Sequence, residues 1–282
     1  MLSERAARAA CGRIPKPRTA PQIPRLMARS EPNRYLQQNP PPVLRSGRTA
    51  DQNRRACALY GRYAPGRGRC CPAGLAWFLQ EVPALLAPLL LLLWTEQAGS
   101  GSGSGTGTLL LLCTFVLHYS YRSLIYSVLT RGRPVPLHII VFSAVFCGLN
   151  GFLQGHHLLH CVHFQHTWMT GARLAAGWFL FLVGLSINVH SDHILRNLRK
   201  PGELVYRIPR GGMFEFVSGA NFLGEILEWC GYAVAAGSLP AFAWAFFTVC
   251  SIGPRACHHH RDYQQRFEDY PPSRKALIPF LL

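Results

Sequence analysis

Residues 75–94 read LAWFLQEVPALLAPLLLLLW, from Leu75 to Trp94, an apolar run broken by Gln80, one acid at Glu81, and two prolines, Pro83 and Pro88. About 20 apolar residues is the length an α-helix needs to cross the hydrocarbon core of a bilayer. Proline is tolerated in such a helix because neighbouring groups satisfy the carbonyls it frees. Further apolar segments follow at 109–130, 135–158, 175–189, 216–236 and 239–252, with a short apolar tail at 276–282. None alternates polar and apolar residues as a membrane barrel strand must. The fold class predicted is therefore all-α, a polytopic, multi-pass transmembrane helical bundle with five or six spans in these segments and the lipid bilayer as its first partner.

Composition agrees. Of the 282 residues 49% are hydrophobic and only 15% charged, too apolar and too poor in charge for a soluble domain of this length. The net charge of +16 is uneven: residues 1–56 carry twelve basic side chains against Glu4, Glu31 and Asp51. The remainder sits in short links between apolar runs, where basic residues hold a cytoplasmic face, and nucleic acid is not expected as a partner. With eight prolines and no apolar run, residues 1–56 are predicted to be disordered, with neither span nor secretory signal, and residues 57–282 to form the transmembrane domain. The GSGSGSGTGT stretch at 99–108 reads as a flexible connector. Arg131–Pro134, the His-rich 156–166 stretch and Arg196–Gly212 read as polar links, the last with turn signals at Lys200-Pro201-Gly202 and Arg210-Gly211-Gly212. The ten cysteines show no CxxC pair, and Cys113, Cys147, Cys161, Cys230 and Cys250 look like buried thiols.

Ionisable groups at membrane depth are costly and gather where a cavity or ligand needs them. Asn188, Asp192, Leu195 and Arg199 share one helical stripe; Asn221, Glu225 and Glu228 form a second, followed by Trp229. Arg255, His259 and Tyr263 form a third, at strict four-residue spacing. Each could face water on a helix that outruns the bilayer, but together they predict an elongated polar slot inside a bundle. Arg199, Arg207, Arg210 and Arg255, with carboxylates and amides between them, suit a phosphorylated nucleotide, since guanidinium groups pair with phosphate in fork geometry. There is no GxGxxG after a strand and no P-loop, so the nucleotide would lie among helices.

Glu81, and Tyr119 within Leu117-His118-Tyr119-Ser120-Tyr121, supply a second half. A protonated carboxyl and a phenol are both donors, and together they could clamp a carbonyl oxygen and stabilise an enolate formed on it. The plainer reading of a tyrosine in an apolar helix is an interfacial anchor. His156, His157, His160, Cys161, His163 and His166 resemble a metal cluster superficially but lack companion carboxylates, and the adjacent His258, His259 and His260 point in different directions on a helix. No metal is expected.

The strings NVHSDHILRNLRKPGE from Asn188 to Glu203, YRIPRGGMF from Tyr206 to Phe214, SGANFLGE from Ser218 to Glu225 and FEDYP from Phe267 to Pro271 carry a pattern that strongly resembles the steroid 5α-reductases. The likeness runs from about Tyr60 to the C-terminus and includes Trp77–Glu81, His118-Tyr119 and Arg131–Pro134. What the resemblance implies is a seven-helix enzyme of the endoplasmic reticulum membrane, with NADPH in a cytosol-facing cavity and a steroid substrate entering from the membrane, in androgen metabolism and sex differentiation. Glu81 and Tyr119 match the pair that holds the steroid 3-oxo group. Asn188, Asp192, Arg199, Arg207, Asn221, Glu225, His259 and Tyr263 fall on the cofactor region, and Phe146, Trp229 and Phe247 on the steroid pocket. Hydride transfer to C5 and protonation at C4 would reduce the conjugated double bond of a substrate such as testosterone or progesterone.

Two departures accompany the likeness. The family's first helix should precede the Tyr60 region, and residues 1–56 are expected to lack or replace it; Phe142 stands where some members place an arginine. The type 1 enzyme is resembled at Tyr60–Tyr63, His193 and Asn197–Pro201, type 2 at Trp77–Gln80, Ser218–Leu223 and His258–Arg261, so the subtype stays open. Other readings are a non-catalytic or impaired steroid-binding relative, and a membrane enzyme of the isoprenylcysteine methyltransferase type acting on another lipid. The oligomeric state is not legible.

Overall fold

The structure, a computed structural model, describes residues 69–97, 105–162, 168–198 and 206–282. The 1–56 segment, the Tyr60–Tyr63 motif, most of the 99–108 connector, His163, His166, Arg199 and the Lys200–Gly202 turn lie outside the described residues. Among the described residues six long helices follow one another: α1 Ala73–Gln97, α2 Thr106–Leu129, α3 Leu137–Cys161, α4 Trp168–Asn197, α5 Ala220–Ala236 and α6 Leu239–Arg266. The only strands among the described residues are the two-residue β1 Cys70–Cys71 and β2 Val135–Pro136, which pair antiparallel and tie the start of α1 to the start of α3. Helices α1 to α4 are each long and apolar enough to cross a membrane. At 1.5 Å per residue the 25 residues of α1 reach about 37 Å, more than the hydrocarbon core requires.

The helices differ from the predicted segments where local chemistry extends or shortens them. The 175–189 run is only the centre of α4, which spans 30 residues and carries Asp192 and Arg196 on its last turns. The His-rich link begins later than its composition implies, because His156 ends the regular part of α3 and a π-helical turn, His157–Cys161, continues it. The expected span at 216–236 starts only at Ala220. Before it, Gly212–Glu215 form a 3₁₀ turn that takes the Phe216 and Val217 amides, and the amides of Ser218 and Gly219 are bonded to the C-terminal segment. Gly237, in the left-handed conformation at φ 57°, ends α5, and the next residue, Ser238, caps α6 by accepting from the Ala241 amide at 3.4 Å.

Close packing rests on small residues. Where α4 meets α5, Gly177, Gly184, Gly224 and Gly231 bring backbone against backbone: a Cβ on Gly184 would lie 2.3 Å from the Glu228 amide nitrogen, and one on Gly224 would lie 2.5 Å from that of Asn188. The pairs Gly177 with Ala235, Gly184 with Glu228 and Asn188 with Gly224 keep one register, so the two helices run antiparallel. Lipid tails offer no hydrophobic drive for helix association, and close approach of small residues supplies the packing instead. Helices α1 and α3 run parallel, with Gly148, Gly151 and Gly155 seating Pro83, Ala84 and Pro88. The two prolines of the first span thus fill hollows left by glycines.

The C-terminal tail is bound to the segment between α4 and α5. Ser218 and Gly219 amides donate to the carbonyls of Lys275 and Ala276 at 2.8 and 2.9 Å, and the Lys275 amide returns a bond to Phe216. Ser218 Oγ lies 2.6 Å from His260 Nδ1, 2.5 Å from the Tyr270 hydroxyl and 3.1 Å from the Lys275 carbonyl. Arg274, 1% exposed, donates to the Pro209 carbonyl at 3.0 Å and faces Glu215 at 3.6 Å. Burial, then the cations Lys275, Arg274 and Arg261, hold His260 below the usual histidine value, so the ring serves Ser218 in its neutral form.

The glycine register is testable. Gly184→Val should cost about 3 kcal/mol of stability, because backbone rather than a flexible side chain stands in the way. Gly171→Val, at a position with nothing within 4 Å, should melt like the parent in detergent. Equal melting of the two variants would show that α4 and α5 are not packed in this register.

Candidate functional site

Helix α2 supplies one wall. Tyr119 and Arg122 lie three residues apart and His118 and Arg122 four, so all three face the same side of the bundle. Just past Tyr119 the helix widens into a π turn, Tyr121–Tyr126, and Ser123 and Ser127 donate to the carbonyls of Tyr119 and Ser123 within it. Such turns inside α-helices occur frequently at functional sites. This one carries Arg122, a buried cation held 4.7 Å from the Trp77 ring and 4.6 Å from the Tyr126 ring.

Three other helices send carboxylates to that guanidinium. Asp192 of α4 is 3.6 Å away, and Glu225 of α5 and Glu81 of α1 lie within electrostatic reach. A guanidinium out of water must be paired, and unpaired buried charge costs several kcal/mol. Asn188 donates to the Asn221 carbonyl at 3.0 Å, one turn from Asp192. The two stripes read from spacing, Asn188 with Asp192 and Asn221 with Glu225, therefore face each other across the glycine-packed helix pair.

The clamp pair is brought to the same cluster. Asn150 of α3 donates to the Tyr119 phenolic oxygen at 3.0 Å, and Gln154 donates to the Asn150 carbonyl oxygen at 3.2 Å. Cys147, one turn earlier on α3, lies 3.9 Å from Glu81 Oε2. Tyr119 is 1% exposed, whereas Glu81 is only partly buried. Behind Tyr119 a second buried pair joins α2 to α5: His118 Nδ1 is 2.5 Å from Glu228 Oε1, with the histidine ring 4.6 Å from that of Trp229.

Beyond Trp229 the lining turns aromatic. Trp244 of α6 packs against Trp229 at 5.8 Å and against Phe146 and Phe247 at 5.2 and 5.6 Å. Phe146 and Phe247 are 39% and 43% exposed, so the aromatic wall leads from a buried phenol to the lipid-facing surface. Phe142, 72% exposed, stands on the outside of α3. At the other end, His259 of α6 packs on Phe222, next to Asn221, and Tyr263 stacks on Tyr270 at 5.6 Å. Arg207 lies exposed on the 206–211 loop. That loop is tied down by Arg266 over Tyr206 and by Arg274 on Pro209. His259 and His260 turn to different partners, Phe222 and Ser218. His160 pairs with Thr95 of α1, and among the described residues no three His, Cys, Asp or Glu side chains converge as a metal site would need.

Residues 133–282 match the family described as 3-oxo-5-alpha-steroid 4-dehydrogenase. The chain belongs to this family. Its members are oxidoreductases. The pig 3-oxo-5-alpha-steroid 4-dehydrogenase 2 is 52% identical over 79% of this chain and 87% of its own length. The human protein of the same name is 55% identical over 74% of this chain and 81% of its own. The human 3-oxo-5-alpha-steroid 4-dehydrogenase 1 is 46% identical over 82% and 88%. Both subtypes thus resemble the chain across most of its length, in keeping with the mixed motifs of the sequence.

Helical spacing alone does not mark several of the residues brought together here. Arg122 is the only Lys, Arg, Asp or Glu inside the 109–130 run, which was signal enough. Asn150 and Gln154 share an i, i+4 stripe in an apolar helix; Trp244 had no mark beyond its size. Removing the cation gives a direct test. Arg122→Ala leaves three carboxyl groups around an empty position and should cost about 3 kcal/mol, read as a lower melting temperature in detergent. Arg122→Ala with Asp192→Asn should recover part of that loss; no recovery would mean that the charge pairing does not hold the cluster together.

Proposed function

We propose that the chain reduces the C4–C5 double bond of 3-oxo-Δ4 steroids with NADPH, in the endoplasmic reticulum membrane. The observation that carries this reading is the hydrogen-bond relay Gln154 to Asn150 to Tyr119, set beside Glu81. Because the phenolic oxygen already accepts from Asn150, its own proton is left to donate elsewhere, towards the space that Glu81 partly exposes. Two donors converging on one point suit a carbonyl oxygen that gains negative charge.

The polar cluster is the natural place for the cofactor, and its chemistry fits one. Ser191 Oγ, Asp192 Oδ2 and Arg196 Nη1 are buried without a hydrogen-bond partner among the described residues, at the end of α4 that faces the 206–215 loop. Buried polar atoms are ordinarily satisfied, so three together mark a site that a polyhydroxylated, phosphorylated ligand would complete. Asn188, Asp192, Asn221 and Glu225 would hold its sugar and amide groups. Arg199, Arg207, His259 and Tyr263 would hold its phosphates and base. The bound cofactor supplies the hydride.

Glu81 and Tyr119 would hold the 3-oxo oxygen while C5 becomes tetrahedral, stabilising the enolate that spreads over C3 and C4. A proton added at C4 returns the ketone. Trp229, Phe146 and Phe247 would pack on the ring faces, and their continuity with the lipid surface would admit the steroid from the bilayer. Arg122 would keep both halves at fixed separation, which is what positions a donor relative to an acceptor.

Microsomes from cells expressing the full chain, given testosterone or progesterone with NADPH, should form the 5α-dihydro steroid. No product from protein that is folded and membrane-inserted would overturn the reading and favour a non-catalytic relative. Tyr119→Phe removes one donor to the developing charge and should lower kcat about 100-fold, with cofactor affinity little changed. Equal loss of both would assign Tyr119 to packing instead.

A further inference from the structure

Two donors in the aromatic wall have no use in the mechanism above. The Tyr232 hydroxyl, on a side chain 1% exposed, and the Trp244 indole Nε1 are both buried without a hydrogen-bond partner among the described residues. Their rings pack edge-on against the same residue, Trp229, at 5.7 and 5.8 Å and at 79° and 84°. Phenylalanine at either position would fill the space with no polar atom to desolvate, so two unpaired donors in one aromatic cluster call for an acceptor from outside the chain. An indole N–H can only donate, and a buried phenol beside it donates most readily, so the missing partner is an oxygen with lone pairs.

The direction of the wall says which end of a ligand that oxygen belongs to. Helices α2 and α5 pass each other antiparallel: Arg122 is near Glu225, His118 bonds Glu228, and Phe115 packs on both Trp229 and Tyr232. Going along α5 from Glu225, one meets the ionic cluster, then the Tyr119 clamp beside Trp229, then Tyr232. Seven residues separate Glu225 from Tyr232, about 10 Å along the axis. Tyr232 therefore lies past the clamp on the side away from the cluster.

We propose that Tyr232 and Trp244 form a donor pair that binds an oxygen at the end of the steroid remote from the 3-oxo group, and so set this enzyme's preference among substrates. The inference rests on the clamp reading above and adds to it. A site built to hydrogen-bond a substrate oxygen discriminates strongly against the analogue that lacks it, because its own polar groups are then left buried and unpaired.

The test compares testosterone, which carries an oxygen on the ring farthest from C3, with androst-4-en-3-one, which has the same skeleton without it. In microsomes expressing the full chain, the ratio of kcat/KM for the two should favour testosterone. Tyr232→Phe and Trp244→Phe, each conservative in shape, should each lower that ratio about tenfold, whatever they do to absolute activity. An unchanged ratio in either variant overturns the pair as a reader of that oxygen, and so does a parent protein that turns over both steroids alike. A parent that reduces neither steroid would instead remove the reductase reading, and this inference with it.

Discussion

The Arg122 guanidinium is the constraint around which the rest is arranged. A permanent cation on a helix inside a bilayer cannot be left unpaired, and its partners come from α1, α4 and α5. Those helices are separated by up to about 140 residues of sequence, from Glu81 to Glu225, so the charge fixes a tertiary arrangement that local preference could not. The flanking rings of Trp77 and Tyr126 cover its faces, leaving its edge to the carboxylates. The same cluster abuts the Tyr119 relay on one side and the buried ends of Ser191 and Arg196, which have no hydrogen-bond partner among the described residues, on the other. One buried charge thus sets the distance between two regions that a reduction would need to bring together.

Much of this was legible in the chain and some was not, for physical reasons. Long apolar runs announce spans because a bilayer demands length: the run at 75–94 lies within α1, and the run at 109–130 lies within α2 but for Thr130. The four-residue spacing of Asn188 with Asp192, and of Asn221 with Glu225, announced two polar faces. That those faces meet each other depends on Gly177, Gly184, Gly224 and Gly231, whose effect is on interhelical distance and leaves no periodic trace among polar residues. The span expected from 216 begins late because the amides of Ser218 and Gly219 are claimed by residues 275 and 276, a long-range pairing that hydropathy cannot register. His157 and His160 look like part of a link by polarity, yet the backbone goes on coiling through the π turn His157–Cys161. Arg122 leaves little trace for the opposite reason: it is one residue, and a single charge makes no stripe.

The two walls of the site are made differently. On the polar side, backbone presses on backbone, and the positions of Asn188, Asp192 and Asn221 follow from where two helices touch. On the aromatic side, large rings of α3, α5 and α6 lean on one another at angles from 28° to 84°. A ring can rotate or be exchanged for another of similar volume at small cost, whereas a methyl group added at Gly184 cannot be absorbed.

That contrast has a consequence for how such a protein can diverge. A binding surface locked by main-chain contact tolerates few replacements, so its geometry is inherited almost unchanged from one descendant to the next. A surface of interleaved rings can be retailored one side chain at a time, each step leaving a folded molecule for selection to act upon. New preferences for ligands would then arise on the aromatic wall while the glycine-packed wall stays as it was, and relatives would differ in what they accept far more than in what they bind beside it.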